Sequence, residues 1–231
     1  MEQSPNSLRL NKHLALSMGI SRREADNLID KGVVRINDQV ATLGARFVDG
    51  DTITVNDQKI AAKTEYQYLV MNKPVGYVCS RRQQGEHPTI YELLPPEYYN
   101  LKTVGRLDRD SSGIIILSND GDFTYQMTHP SFNKTKIYNV RLENDLAPLH
   151  QQMISDHGIT LEDGVSKLQL ERMNDTDRKS WIVTMHEGRN RQIRRTFGSL
   201  GYTVDKLHRT NFGNYALGDL KPGKFEISTK L

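Results

Sequence analysis

The chain has 231 residues, 36% hydrophobic and 26% charged, a balance that suits a globular protein with one large core or a small module beside a larger domain. No stretch approaches the roughly 18 consecutive apolar residues of a membrane helix, and the single cysteine, Cys79, excludes an internal disulfide and a metal site built from thiolates alone. Thirty-one basic against 28 acidic side chains leave a net charge of +3, which permits a polyanionic partner without requiring one. The opening Met1–Ser7 has no apolar core of the secretory kind, so the cytoplasm is the expected compartment.

Residues 8–55 read as one compact unit. Leu10, Leu14 and Ala15 lie on one side of a short helix. Ser21 and Glu24 have the spacing of a capping box, and Ala25, Leu28 and Ile29 give the next helix its apolar side. Gly32 can close that helix in a left-handed cap. Val33–Asn37 reads as a strand that turns at Asn37-Asp38, and Asp49-Gly50 marks a turn before Ile53-Thr54-Val55. Residues 57–67 are polar and read as a linker. This sets expected domains of 1–60 and 61–231.

Beyond the linker, Tyr68–Lys73 is a strand stopped by Pro74, and residues 81–88 are loop-like. Ile114–Leu117 is a short apolar strand ended by Asn119-Asp120-Gly121. Residues 137–142 alternate as a strand, 149–153 suit a helix, Trp181–Met185 is a strand, and 191–200 suit a helix with Ile193, Phe197 and Leu200 on one side. Strands and helices mix without a regular βαβ period, which favours α+β.

Charge placement says more than its total. Residues 186–209 hold six basic side chains, Arg189, Arg191, Arg194, Arg195, Lys206 and Arg209, against Glu187 and Asp205. Such a cluster suits phosphate binding, or else forms a solvated helix face. Residues 1–60 are balanced, with eight basic and eight acidic side chains. That module reads RNA only if the positives gather on its helices, and is otherwise a packing or dimerisation unit. The seven histidines are scattered with no metal-ligand spacing, so no metal is expected.

An isolated loop aspartate is ordinarily a turn or cap residue, and a strand tyrosine ordinarily packs in a core or at an edge. Three motifs in order change that reading. Thr103–Gly113 contains Gly105-Arg106-Leu107-Asp108, Lys136-Ile137-Tyr138 follows, and Gly188–Arg195 closes the set. Together they resemble the pseudouridine synthases, in the ribosomal RNA branch that carries an S4-type RNA-binding domain. The resemblance covers roughly residues 8–225 and implies an α+β fold, with a small N-terminal S4-type αα/β domain followed by a mixed-sheet catalytic domain. It implies isomerisation of a flipped-out uridine without a cofactor. It makes Asp108 the nucleophile, Tyr138 the residue that stacks on the base and handles protons, and Arg194 the basic partner of Asp108. A fixed guanidinium of that kind lowers a carboxylate pKa. Arg106, two residues before Asp108, would share its side of an extended strand and help fill the gap left by the flipped base. Leu207 would pack beside the base or be ordinary core, and Gln192 would be a polar supporter. Arg189, Arg191 and Arg195 would contact phosphates, Arg9, Lys12, Arg22 and Arg23 would meet RNA from the N-terminal helices, and Asp110 reads as a surface or capping acid.

The implied partner is ribosomal RNA, naked or in an assembling particle, bound by a monomer with no membrane or metal. The Arg-Asn-Arg-Gln-Ile-Arg-Arg run and Lys-Ile-Tyr are similar to large-subunit members, which favours 23S over 16S rRNA. A non-catalytic ribosome-associated RNA binder is the alternative, and intact Asp108, Tyr138 and Arg194 argue against it. A nucleoside or glycoside hydrolase would need a second cooperating acid, and none is compellingly placed.

Overall fold

A computed structural model describes residues 7–60 and 65–231. The chain forms two compact units, Met1–Tyr66 and Gln67–Leu231. In the first, β1 (Leu8–Arg9), α1 (Leu10–Ser17), α2 (Arg22–Asp30), β2 (Val34–Ile36), β3 (Gln39–Val40), β4 (Arg46–Phe47), β5 (Ile53–Val55) and β6 (Gln58–Lys59) follow in order. The capping box on α2 is complete: the Glu24 amide donates to Ser21 Oγ at 3.1 Å, and the Ser21 amide donates to the Glu24 carboxylate at 2.6 Å. Asn37 and Asp38 both adopt left-handed backbone, with φ of 48° and 67°, as a tight two-residue hairpin demands. The hairpin is β2–β3, and the sheet order is β3-β2-β5-β6. Leu10, Leu14, Ala25, Ile29, Val34, Phe47, Ile53 and Val55 close the core between helices and sheet. The start of the stretch expected as a linker is corrected, since Gln58–Lys59 pairs with Thr54–Val55 as an edge strand. The rest of it includes residues 61–64, which lie outside the described residues.

The second unit contains β7 (Tyr68–Lys73), β8 (Lys102–Val104), β9 (Ser112–Ser118), α3 (Gly121–Thr128), β10 (Lys136–Leu142), α4 (Pro148–Gln152), β11 (Ile159–Leu161), β12 (Gly164–Ser166), β13 (Gln169–Arg172), β14 (Ser180–Met185), α5 (Gln192–Gly198), β15 (Val204–Phe212), β16 (Tyr215–Ala216) and β17 (Phe225–Ser228). A nine-stranded mixed sheet runs β13-β14-β10-β15-β9-β7-β17, with β16 beside β15 and β8 beside β9. Within this sheet, among the described residues, the β15–β9 pairing alone is parallel. Ile114 and Ile116 enter a core with Phe123, Phe212 and Tyr215, while Ile115 and Leu117 enter another with Met71, Ile90 and Leu101. Burial on both faces explains why β9 is apolar without alternation.

Along one edge of β9 runs β7. The opposite edge is shared: Ser112 and Gly113 pair with His208 and Arg209 of β15, and Ile116–Ser118 pairs with β8. The sheet therefore forks, and the segment from β8 to β9, residues 105–111, lies in the fork. Gly113 sits at the crossing with φ of +108°, where an added Cβ would stand 2.1 Å from the Arg209 carbonyl oxygen. Any side chain there must push β15 away from β9. Among the described residues, no helix is long and apolar enough to cross a membrane.

Gly113→Ala is expected to lower stability by roughly 3 kcal/mol or more, through strained backbone and a backbone clash together. Gly218→Ala, at φ of +56° with open space around the Cβ position, should cost only about 1 kcal/mol. Urea denaturation of the two variants checks the contrast.

Candidate active site

The fork segment begins where β8 ends at Val104. Gly105 turns the chain with φ of +70°, so the extended alternation expected to put Arg106 and Asp108 on one side does not exist. Both reach the same cavity by the turn instead. Leu107 is buried, and its amide donates to Cys79 Sγ at 3.5 Å. The Ser111 amide donates to the Asp108 carbonyl at 3.1 Å and closes the turn.

Beneath this turn lies Lys73, at the end of β7 and fully buried. Its Nζ donates to the carbonyls of Ser111 at 2.6 Å, Pro74 at 2.9 Å and Arg109 at 3.4 Å. Burial pushes the ammonium down to about 8, although Cys79, Asp110 and Asp108 act to hold its proton. The turn that carries Asp108 is thus anchored at Arg109 and Ser111 by a buried cation. Sequence reading gave Lys73 no such role. Its signal was slight, a lysine ending an otherwise apolar strand just before proline.

A cavity of about 490 Å³ opens above the turn, within the size range of small-ligand sites. Asp108, Arg106, Tyr138, Leu207, Gln192, Arg189 and Arg191, all singled out in the sequence, line it. Tyr138 and Leu207 come from neighbouring strands, β10 and β15, and are each 7% exposed. Both belong to the apolar core as well as to the cavity wall. Arg209, also on the wall, is 2% exposed and donates twice to the Ile114 carbonyl, from Nε at 2.9 Å and a terminal nitrogen at 2.8 Å.

The arginines are distributed differently from expectation. The helix predicted from residue 191 starts as α5 at Gln192, because Arg191 adopts left-handed backbone with φ of 46°. Arg191 clasps Asp110 through two hydrogen bonds of 3.0 Å and stands 3.6 Å from Asp108. Arg194 does not pair with Asp108 in this structure. Its Nε lies 3.4 Å from the Asp110 carboxylate, and its terminal nitrogens donate to the Asp110 carbonyl at 2.9 Å and the Val204 carbonyl at 2.7 Å. Asp110 is accordingly a hub between two guanidiniums, with its side chain still 41% exposed. Burial acts to raise its carboxyl, but the hydrogen bond from Arg191 and the charges of Arg194 and Arg191 outweigh it and hold the group below the ordinary value of 3.8.

Arg189 and Arg195 were expected to be free for phosphates, yet both are engaged. Arg195 meets Asp163 through hydrogen bonds of 2.6 and 3.0 Å, and Arg189 meets the same carboxylate at 2.8 Å and the carbonyls of Asp163, Gly164 and Val165. Gln192 is buried and committed to the framework: it accepts from the Arg189 amide at 3.1 Å and donates to Ser166 Oγ at 3.1 Å and to Glu187. In the N-terminal unit, Arg9, Arg22 and Arg23 are exposed and Lys12 is half-buried. Among the described residues, no group of three or more His, Cys, Asp or Glu side chains is placed to hold a metal ion.

Residues 67–199 match the sequence profile of RNA pseudouridylate synthases, and residues 8–53 match the S4 domain. The chain belongs to the RNA pseudouridylate synthase family. It is 34% identical over 222 residues to a ribosomal large subunit pseudouridine synthase B of Xylella fastidiosa, covering 90% of this chain but only 46% of that protein. Thus the chain spans less than half the length of that relative. It is 32% identical to the large subunit synthase B of Bacillus subtilis, covering 93% and 89% of the two chains. It is equally, 32%, identical to a ribosomal small subunit pseudouridine synthase A of Pasteurella multocida, covering 92% and 91%. A crystal structure of a pseudouridylate synthase superposes with a TM-score of 0.67 at 31% identity over 96% of each chain. The fold expected from the motifs, an S4 domain followed by a mixed-sheet synthase domain, is the fold found.

A carboxyl whose pKa is depressed by folding adds stability above its unfolded value and loses that stability as pH falls through the folded one. Arg191→Ala should raise the Asp110 pKa and move the acid limb of the stability curve to higher pH. Arg189→Ala, whose carboxylate partner is Asp163, should leave the Asp110 titration where it is. A carbon-detected NMR titration of Asp110 in each variant decides this.

Proposed function

We propose that this protein isomerises a uridine of ribosomal RNA to pseudouridine, with Asp108 as the nucleophile and a 23S rRNA target. The observation that carries the reading is Asp108 itself, a carboxylate whose side chain is 32% exposed on the wall of a cavity shared with an aromatic ring, an apolar leucine and arginines. A base pulled from its stack needs a flat ring to lie on and a shaped pocket to fill. Tyr138 supplies the ring and Leu207 the apolar wall beside it.

The reaction balances without an external electron donor. The Asp108 carboxylate attacks the nucleoside, the bond between N1 and C1′ breaks, and the freed base turns. C5 then bonds to C1′ while the Asp108 ester is released, the hydrogen on C5 leaves as a proton, and N1 takes up a proton. Tyr138 is the proposed group for moving the C5 proton. Arg191, at 3.6 Å, is the cation that faces Asp108, and Arg194 acts through Asp110 as a positioning residue. Six basic side chains against two acidic ones line the cavity, a balance that favours RNA phosphates. Arg9, Arg22 and Arg23 on the S4 unit would add backbone contacts.

The large-subunit preference rests on the Arg-Asn-Arg-Gln-Ile-Arg-Arg run and Lys-Ile-Tyr, since relatives named for either subunit are equally similar. Mapping pseudouridine in rRNA from cells with and without the gene tests it, since loss of a 16S site would overturn the preference but keep the chemistry. Asp108→Asn should bind RNA normally and lose roughly 10³-fold or more in single-turnover rate. Normal modification by that variant would favour a non-catalytic RNA binder or a different nucleophile.

Tyr138→Phe should keep base stacking and lose most of the rate at saturating RNA. An equal fall in affinity would make the hydroxyl a binding group. Arg22→Ala/Arg23→Ala should flatten the dependence of log affinity on log salt by up to about 0.9 per lost phosphate contact, with the saturated rate retained. Filter binding across a salt series reads that slope.

A further inference from the structure

Past the cavity rim, the chain displays three aromatic rings that the proposed chemistry does not use. Tyr125 projects from α3, His129 ends that helix, and Phe132 follows in a short turn. Their ring centroids lie 4.7 Å (Tyr125–His129), 5.7 Å (Tyr125–Phe132) and 6.4 Å (His129–Phe132) apart. The inner side of α3 is filled by buried Phe123 and Met127, so the helix does not need Tyr125 for its core. Tyr125 is 54% and Phe132 43% exposed. The turn is held in shape independently of the Tyr125 and Phe132 rings. The Ser131 amide donates to His129 Nδ1 at 3.3 Å, and Asn133 adopts left-handed backbone with φ of 45°.

The cluster is continuous with the cavity, because His129 and the adjoining Pro130 line it. Lys134 and Lys136 line the same wall just beyond. Rigid aromatic faces beside cations are the combination that receives single-stranded nucleic acid: each base offers a face to stack upon, and the cations meet the backbone. An apolar protein segment would gain less from the neighbouring lysines.

We infer that Tyr125, His129 and Phe132 form a stacking platform for an unpaired base of the RNA strand next to the flipped uridine. The inference rests on the proposed function in taking the cavity to be the uridine site. The platform fixes the strand by a second base, so the enzyme recognises a nucleotide whose chemistry it does not alter. Stacking involves no phosphate, so the contact should be insensitive to salt.

The test compares the full-length protein with Tyr125→Leu/Phe132→Leu, which keeps apolar bulk and removes two π faces, and with Tyr125→Phe/Phe132→Tyr, which keeps them. The probe is protein-free rRNA from cells lacking the gene, measured by filter binding across a salt series and by pseudouridine formation. The leucine pair should bind roughly tenfold more weakly, with an unchanged salt slope and an unchanged melting temperature, and the aromatic pair should bind like the parent. Affinity of the leucine pair within twofold of the parent overturns the platform, as does a weakening that the aromatic pair shares. So does a defect confined to assembling ribosomal particles, which would make the patch a protein contact. If the leucine pair melts early, Tyr125→Leu and Phe132→Leu are measured singly against the same criteria. Failure of the parent to form pseudouridine would remove the functional reading, while the binding comparison would still decide the platform.

Discussion

Everything at the site depends on how closely β15 crosses β9 at Gly113. A backbone carbonyl that would lie 2.1 Å from a Cβ leaves room for hydrogen alone, and that contact lets one strand edge serve two partners. The parallel pairing ends after Arg209 because β8 takes over the same edge at Ile116. Ligands of open sheets commonly bind where neighbouring connections part, and the 105–111 turn occupies such a place here. Lys73 then ties the turn down from below, through carbonyls at Pro74, Arg109 and Ser111. Backbone oxygens, not carboxylates, hold the cation, so Asp108 and Asp110 are left for the arginines above.

Those arginines are arranged by tertiary structure more than by helix periodicity. The left-handed Arg191 delays the helix by one residue and lets its guanidinium bridge Asp110 while standing near Asp108. Arg194, on the first turn of α5, is only 13% exposed at its side chain and braces Asp110 and Val204. Burial alone would raise the Asp110 carboxyl. The two guanidiniums around it outweigh that effect.

Legibility in the sequence followed locality. The Ser21–Glu24 capping box, the Asn37-Asp38 hairpin and the Ile114–Leu117 strand depend on residues a few positions apart, and all three form. β15 was not visible, although it is the nine-residue strand that carries Leu207 and Arg209. Val204–Phe212 is rich in polar and charged residues, and its buried positions, such as Arg209, are paid for by distant carbonyls. α3 was hidden because Asn119-Asp120-Gly121 looks like a turn, whereas Asp120 caps the helix by accepting from the amides of Asp122 and Phe123. At the site, the three motifs located the cavity wall, but the choice of partner for Arg194 is made across 84 residues of sequence. No spacing rule reaches that far.

The clasp of Arg189 and Arg195 by Asp163 bears on what the two arginines can offer an anion. Two guanidiniums that already hold a carboxylate attract a passing phosphate weakly, since each new contact replaces an old one. Of the pair, Arg189 lines the cavity and Arg195 does not. An anion arriving at Arg189 gains attraction only as it displaces the carboxylate, so Asp163 is a competitor built into the fold.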